Sequence, residues 1–287
     1  FNAYGNTSRI TDAVNNFKAK YGDKINLTEA TGTKKKDTEI YTNLTSEYTA
    51  NDNSNGASFV LVQDSASLAA YRSNSNVLTN YYPESLVGKL DQNELVPLTQ
   101  QYINKLFMWN NTAGEEAPKF SNVWELTEAK FKNKIYFKSP TSEQVNMNFL
   151  IMLTSEEWCT KLASAYKSFY GKDYVAEKEY KNIGYKWIAE FLANTTTHSS
   201  DGTACKDTAK GTGGTMVYCN FNKLKDCKEK GVGKQDKANL TTSVIEQDAK
   251  VEGFGGFIYK MYTMIPKNAK YPFAACALVN YILSTEG

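Results

Sequence analysis

The run Ser58-Phe59-Val60-Leu61-Val62 constrains the chain more than any other stretch. An apolar segment with no polar alternation predicts a strand covered on both faces. Gln63-Asp64-Ser65 ends it and opens a helix predicted over Ser67–Arg72. The same order occurs twice upstream. Phe1–Tyr4 reads as a strand and Gly5-Asn6-Thr7-Ser8 as a turn; the helix that follows carries Ile10, Ala13, Val14, Phe17 and Tyr21 inward and stops at Gly22. A short strand around Ile25 and Leu27, a polar loop Thr31-Gly32-Thr33 and a helix from Asp37 bearing Ile40, Leu44 and Tyr48 complete the series. Strand, loop and helix in repetition predict an α/β fold with a mostly parallel sheet. In such a sheet the loops gather at the carboxyl edge, where ligands bind.

At 287 residues the chain exceeds one typical core, so two lobes are expected, with a single large α/β domain as the alternative. A hydrophobic content of 41% supplies buried cores, so disorder is not the expectation. A net charge of +2 with acids and bases interspersed argues against a nucleic-acid surface. The basic run Lys34-Lys35-Lys36 reads as a solvated loop. No apolar run approaches the roughly 18 residues that span a bilayer. Because the sequence opens inside an apparent core strand, an upstream signal peptide with a lipid-anchored linker is expected to have been removed.

Further along, Lys134–Lys138 reads as a strand ending in Ser139-Pro140-Thr141-Ser142. A helix from Thr141 to about Leu153 follows, and Thr154-Ser155-Glu156-Glu157 has the spacing of a capping box before a helix with Trp158, Leu162, Ala165 and Phe169. Ile183, Trp187, Ile188 and Phe191 mark another amphipathic helix. Asn194–Thr203 reads as a Ser/Thr/Gly-rich loop stretch, Gly214–Tyr218 as a strand ending in Cys219-Asn220, Lys223–Ala238 as a surface insertion and Thr241–Gln247 as a strand. The C-terminal stretch holds a glycine-aromatic turn at Gly253–Phe257 and an alternating strand of Tyr259, Met261, Thr263 and Ile265. A helix then begins at Pro272, with Ala275, Leu278, Val279 and Ile282 on one face.

A catalytic constellation is not legible. The single histidine, His198, sits in a polar Thr/Ser stretch with no Ser or Cys motif that would make it a base. Gly211-Thr212-Gly213-Gly214 lacks the Lys-Ser/Thr of a phosphate loop, and no pair of carboxylates is distinguished by its setting. Of the five cysteines, Cys159 and Cys276 read as buried small hydrophobes. Cys205, Cys219 and Cys227 crowd together, with spacing that suits one disulfide outside the cytoplasm and not a zinc site.

A resemblance covers nearly the whole chain, strongest at Phe1–Gly22, Phe59–Ala70, Val123–Pro140 and Ile265–Gly287, with Glu94–Thr112 resembling a crossover strand between lobes. Ile265–Gly287, with its IPKNAKYPFAACALVNYILSTEG, and WELTEAKFKNKIYFKSP at Trp124–Pro140 resemble the solute-binding proteins of bacterial ABC importers, the type II periplasmic-binding superfamily. The resemblance implies two α/β lobes joined by crossing strands: residues 1–102 and 249–287 in the first, 103–248 in the second. It also implies a small polar solute held in the interlobe cleft, no enzyme activity, no cofactor and no metal. A membrane permease would be the partner, of an extracytoplasmic monomer, periplasmic or lipid-anchored at the outer face of the cell membrane. An exported hydrolase or a sensor ectodomain on a similar frame is the alternative of another class.

The iron(III)-binding branch is a near relative, and its pattern departs from this chain. Asn6, Thr7 and Ser8 stand where that branch brings a histidine, and Gln63-Asp64 where it brings a ligating glutamate. Of its adjacent tyrosines only Tyr218 has a counterpart, followed here by Cys219-Asn220. Iron(III) favours hard anionic oxygen donors, and this set supplies few. The expected site is one of hydroxyls and amides for a small polar, anionic solute, with an iron(III)-binding protein of the same superfamily as the alternative, since the 19 tyrosines leave room for a rearranged site: Asn6, Thr7, Ser8, Thr31, Thr33, Gln63, Asp64 and Ser65 come from the first lobe. Thr141, Ser142, Tyr218 and Asn220 come from the second, with Phe254 as a wall. Helix capping is the competing reading for each such residue taken singly.

Overall fold

The computed structural model describes residues 1–51, 54–110, 120–211, 215–228, 240–242 and 251–284. The chain divides into two compact units, residues 1–102 with 259–287 and residues 103–258. The second passage between units falls ten residues later than the resemblance implied. Phe254 and Phe257 explain the difference, because both rings pack into the aromatic core of the second unit.

In unit 1, β1 (Asn2–Gly5), β2 (Thr31–Lys34) and β3 (Ala57–Val62) are parallel, in the order β2-β1-β3. β10 (Gly256–Pro266) closes the order antiparallel to β3, and β4 (Leu78–Thr79) pairs with β10. All six residues of β3 are buried, as the apolar run predicts. Tyr4, Val60, Val62, Tyr262 and Met264 pack with Ile40, Tyr41 and Leu44 of α2 (Asp37–Thr49) and Leu68 of α3 (Ser65–Asn74). α1 (Arg9–Tyr21) and α9 (Pro272–Ile282) meet through Phe17 and Tyr281, whose ring centres lie 5.7 Å apart.

Thr31-Gly32-Thr33 is strand rather than the expected loop, and the loop is Lys35-Lys36. The reason lies at Gly32. A side chain there would collide with the Ile10 carbonyl of α1, and Thr11 Oγ1 donates to Gly32 O at 2.8 Å. The strand is thus set by close approach of a helix, which no apolar pattern records.

The single turn α4 (Gln92–Leu95) leads into β5 (Leu98–Asn110), which in unit 2 pairs antiparallel with β8 (Met216–Asn220) and β9 (Leu240–Thr242). β6 (Ile135–Lys138) lies between β8 and β7 (Thr195–His198), parallel to both. The core is strongly aromatic: Phe107, Trp124, Phe137, Phe149, Trp187 and Phe191 are all at most 2% exposed. α5 (Gln144–Met152), α6 (Glu156–Tyr170) and α7 (Ile183–Asn194) supply most of the helical side. Trp124 and Trp187 anchor their indole N–H groups on the carbonyls of Leu162 and Val123, each at 3.0 Å.

Several local expectations change. Ser155 does not cap α6; its hydroxyl donates back to Met152 O at 2.8 Å. Asn194–Thr203 is not loop throughout: it holds β7, an edge strand on which Thr196 and Thr197 are exposed, and the start of α8 (Asp201–Lys210). α5 begins at Gln144, leaving Thr141 and Ser142 in a turn. The insertion read at Lys223–Ala238 and the strand read at Thr241–Gln247 lie largely outside the described residues. So does the Cys227 side chain, on which the disulfide expectation rests; Cys205 and Cys219 lie buried in one cluster.

Candidate functional site

The carboxyl edge of unit 1 is assembled by its backbone. Asn6 N–H donates to Leu61 O at 2.9 Å and Lys35 N–H to Gly5 O at 3.0 Å, so the loops after β1, β2 and β3 stand side by side. Asp37, the first residue of α2, ties them together. Its carboxylate accepts the N–H of Asp64 at 3.0 Å and of Gln63 at 3.3 Å, and the Asn6 side chain hydrogen-bonds to it as well. Burial pushes Asp37 up to about 6, and the nearby Asp64 charge adds to this against those hydrogen bonds.

The predicted residues then separate by what holds them. Asp64 is 1% exposed and is the N-cap of α3, accepting from Ala66 N (3.1 Å), Ser67 N (3.2 Å) and Ser67 Oγ. Thr7 Oγ1 accepts from Arg9 N at 3.3 Å. Ser8, the N-cap of α1, makes no side-chain capping bond and is exposed. Ser65 is exposed at the start of α3 and bonds Tyr262. Thr31 lies at the opposite end of its strand from the carboxyl edge, in register with Asn2, while Thr33 pairs with Tyr4 near that edge. Thr7, Arg9, Gln100 and Gln101 surround a pocket of about 190 Å³ whose apolar lining includes Ile10, Phe59 and Leu61.

Cations mark this edge. Arg9, Lys34 and Lys36 are exposed, and Lys35 lies over the Tyr4 ring at 4.9 Å. Asp37 and Asp64 are turned inward onto backbone N–H groups, while Glu39, exposed in the first turn of α2, accepts from Lys36 N at 2.8 Å.

In unit 2 the strands β6, β7 and β8 end at Lys138, His198 and Asn220. After β6, Ser139 Oγ and Thr141 Oγ1 lie 2.8 Å apart, and Ser142 Oγ donates to Ser139 O at 3.1 Å. Asn220, the last residue of β8, pairs in register with Lys105 of β5. Tyr218 and Phe254 lie elsewhere. Tyr218 is fully buried between Phe107, Phe137 and Phe149, and Phe254 packs on Phe149, Trp158 and Trp187. Their rings build the core beneath the edge, because alternation along β8 turns Tyr218 inward.

Sequence reasoning missed three residues here: Lys105, Asn146 and Asp201. Lys105 is 1% exposed, and its Nζ donates to Asn146 Oδ1 at 2.7 Å and Asp201 Oδ2 at 3.0 Å. A lysine beside the apolar strand segment Leu106-Phe107-Met108-Trp109 was the signal available. His198 is half-buried on β7 rather than in a loop, with Nε2 3.1 Å from Asp207 Oδ2 and Nδ1 accepting from Ser200 N–H at 3.5 Å. Ser200 Oγ donates to Thr203 Oγ1, so it is not a nucleophile facing the ring. Among the described residues no three of His, Cys, Asp and Glu are grouped to hold a metal ion, and no helix is long and apolar enough to cross a membrane.

No family model matches the chain, and no curated protein is similar to it in sequence. Solved structures are similar in fold. The ferric binding protein from Campylobacter jejuni superposes with a TM-score of 0.71 at 16% identity, over 100% of this chain and 82% of that one. Iron-bound HitA from Pseudomonas aeruginosa gives 0.65 at 17%, over 100% and 81%. Trichodesmium FutA in complex with iron and citrate gives 0.64 at 15%, over 99% and 81%. With two α/β units joined at crossing strands, this chain has the fold of the type II periplasmic binding proteins of ABC importers.

Proposed function

We propose that the chain is the solute-binding component of an ABC importer, working outside the cytoplasm and handing a small anionic solute to a membrane permease. It is a binding protein and not an enzyme. The observation that carries this reading is the charge arrangement at the carboxyl edges. Arg9, Lys34 and Lys36 are exposed at the edge of unit 1, whereas Asp37 and Asp64 are held inward by N–H donors. In unit 2 the edge carries the hydroxyls of Ser139, Thr141 and Ser142, and its lysines are paired, Lys138 with Glu143 and the buried Lys105 with Asp201. Cations and hydroxyl donors beside strand ends suit carboxylate or phosphate oxygens, through charge-assisted hydrogen bonds.

A second reading draws on the similar structures, several of which are ferric binding proteins. A ferric ion held by this chain's own side chains would need anionic oxygen donors, yet Asp64 caps a helix and Tyr218 is sealed in the core. Iron carried as an anionic chelate meets no such obstacle, since the chelator supplies the donors and the chain meets only the anion. One of the similar structures holds iron together with citrate. The test is the identity of the solute that co-purifies with the chain, read by native mass spectrometry.

A further inference from the structure

Lys105, Asn146 and Asp201 form a buried polar cluster where three strands of unit 2 end. Asn146 Nδ2 donates at 2.7 Å to the carbonyl of Lys138, the last residue of β6. Asp201 opens α8, directly after β7, and Lys105 stands in register with Asn220 at the end of β8. The Asn146 side chain is engaged at both its oxygen and its nitrogen.

The rest of the cluster is not closed. An ammonium carries three N–H donors. Lys105 directs one to Asn146 and one to Asp201 Oδ2, and no acceptor for the third is found among the described residues. Asp201 Oδ1 is buried and accepts nothing, although the side chain is only 10% exposed. A buried carboxylate oxygen without a donor is costly, and the great majority of such atoms are paired in folded proteins. One donor and one acceptor are therefore left over within a single ion pair. A carboxylate or phosphate oxygen can answer only the donor, and an ammonium only the acceptor. A hydroxyl answers both, accepting from Lys105 and donating to Asp201.

We propose that this cluster is the unit 2 subsite for a hydroxyl group of the solute. The solute class is then a small hydroxylated anion, a hydroxycarboxylate or a polyol phosphate. This rests on the reading of the chain as an anion-binding protein.

The experiment is calorimetric titration of the full chain, dialysed free of solute, with three matched pairs: citrate and tricarballylate, malate and succinate, glycerol 3-phosphate and propyl phosphate. Each pair differs by hydroxyl groups alone. In at least one pair the hydroxylated member binds at least about tenfold more tightly, the effect of hydrogen bonds to charged partners. In the double variant Lys105→Met, Asp201→Leu that ratio falls to about one. Replacing a buried ion pair by apolar residues of similar size is commonly tolerated, and a cooperative melt shows that it is here. Should the double variant not fold, Asp201→Asn carries the same test at constant shape, with a reduced ratio expected. Equal affinity within every pair that binds overturns the hydroxyl subsite and leaves the anion reading standing, with a buried water as the occupant. A wild-type ratio that persists in the variant also overturns it. Binding of no member of any pair overturns the assignment to a free hydroxycarboxylate or polyol phosphate, and leaves the anion reading to the co-purified solute.

Discussion

Ser8, Asp64 and Asp37 show how residues of one polar edge take different work. Capping accounts for Asp64, whose carboxylate satisfies two backbone N–H groups of α3, but not for Ser8, whose hydroxyl makes no capping bond. Asp64→Ala therefore lowers stability by about 1–2 kcal/mol, the cost of a lost N-cap. Ser8→Ala leaves stability within about 0.5 kcal/mol, and weakens solute binding by about 1–2 kcal/mol. Urea unfolding and calorimetry on both variants separate the two roles; a destabilised Ser8→Ala with unchanged affinity would reverse the assignment. Asp37 adds a pH dependence. Its folded value of about 6 lies above the ordinary 3.8, so between those limits the native state binds more protons than the unfolded chain. Stability from this group is full below pH 3.8 and is lost as pH rises through 6. Across that window the loss is on the order of 3 kcal/mol. Unfolding measured from pH 4 to 7 should show wild type losing about that much relative to Asp37→Asn. Parallel pH profiles would remove Asp37 as the source.

At the scale of elements, β3 was legible because all its side chains are apolar or small and buried, and α9 because Pro272 and the spacing of Ala275, Leu278 and Val279 announce a helix. β2 and β7 were not. Both are short, rich in threonine and at the edge of their sheets, so their outer residues are polar and leave no alternation to read. β2 owes its place to Gly32 beneath α1, a packing relation between residues 21 positions apart. Gly32→Ala should then cost about 1–3 kcal/mol through overpacking, far more than Thr33→Ala, which changes an exposed side chain. Comparable denaturation midpoints for the two would contradict this account of β2. Lys105 and Asp201 were hidden for a related reason: they are 96 positions apart in sequence and meet only once β5 and α8 are in place. Tyr218, by contrast, was visible as a residue and misplaced in depth, since the phase of β8 decides whether it faces the core or the edge.

For the whole molecule, the fold was legible from β-α repetition and the resembling segments, and the similar solved structures agree with it. The solute was not, because a fold fixes where strand ends gather and leaves their side chains free to vary. The charge at those ends carries the central claim: exposed cations at the edge of unit 1, with Asp37 and Asp64 turned onto backbone donors, and the acids Glu143 and Asp201 of the unit 2 edge held in ion pairs. Native mass spectrometry of the chain purified without denaturation or dialysis tests it most directly. The account predicts a mass increment equal to a small organic anion, alone or accompanied by iron. An increment of iron alone, with protons lost to match its charge, or of an organic cation, would contradict it.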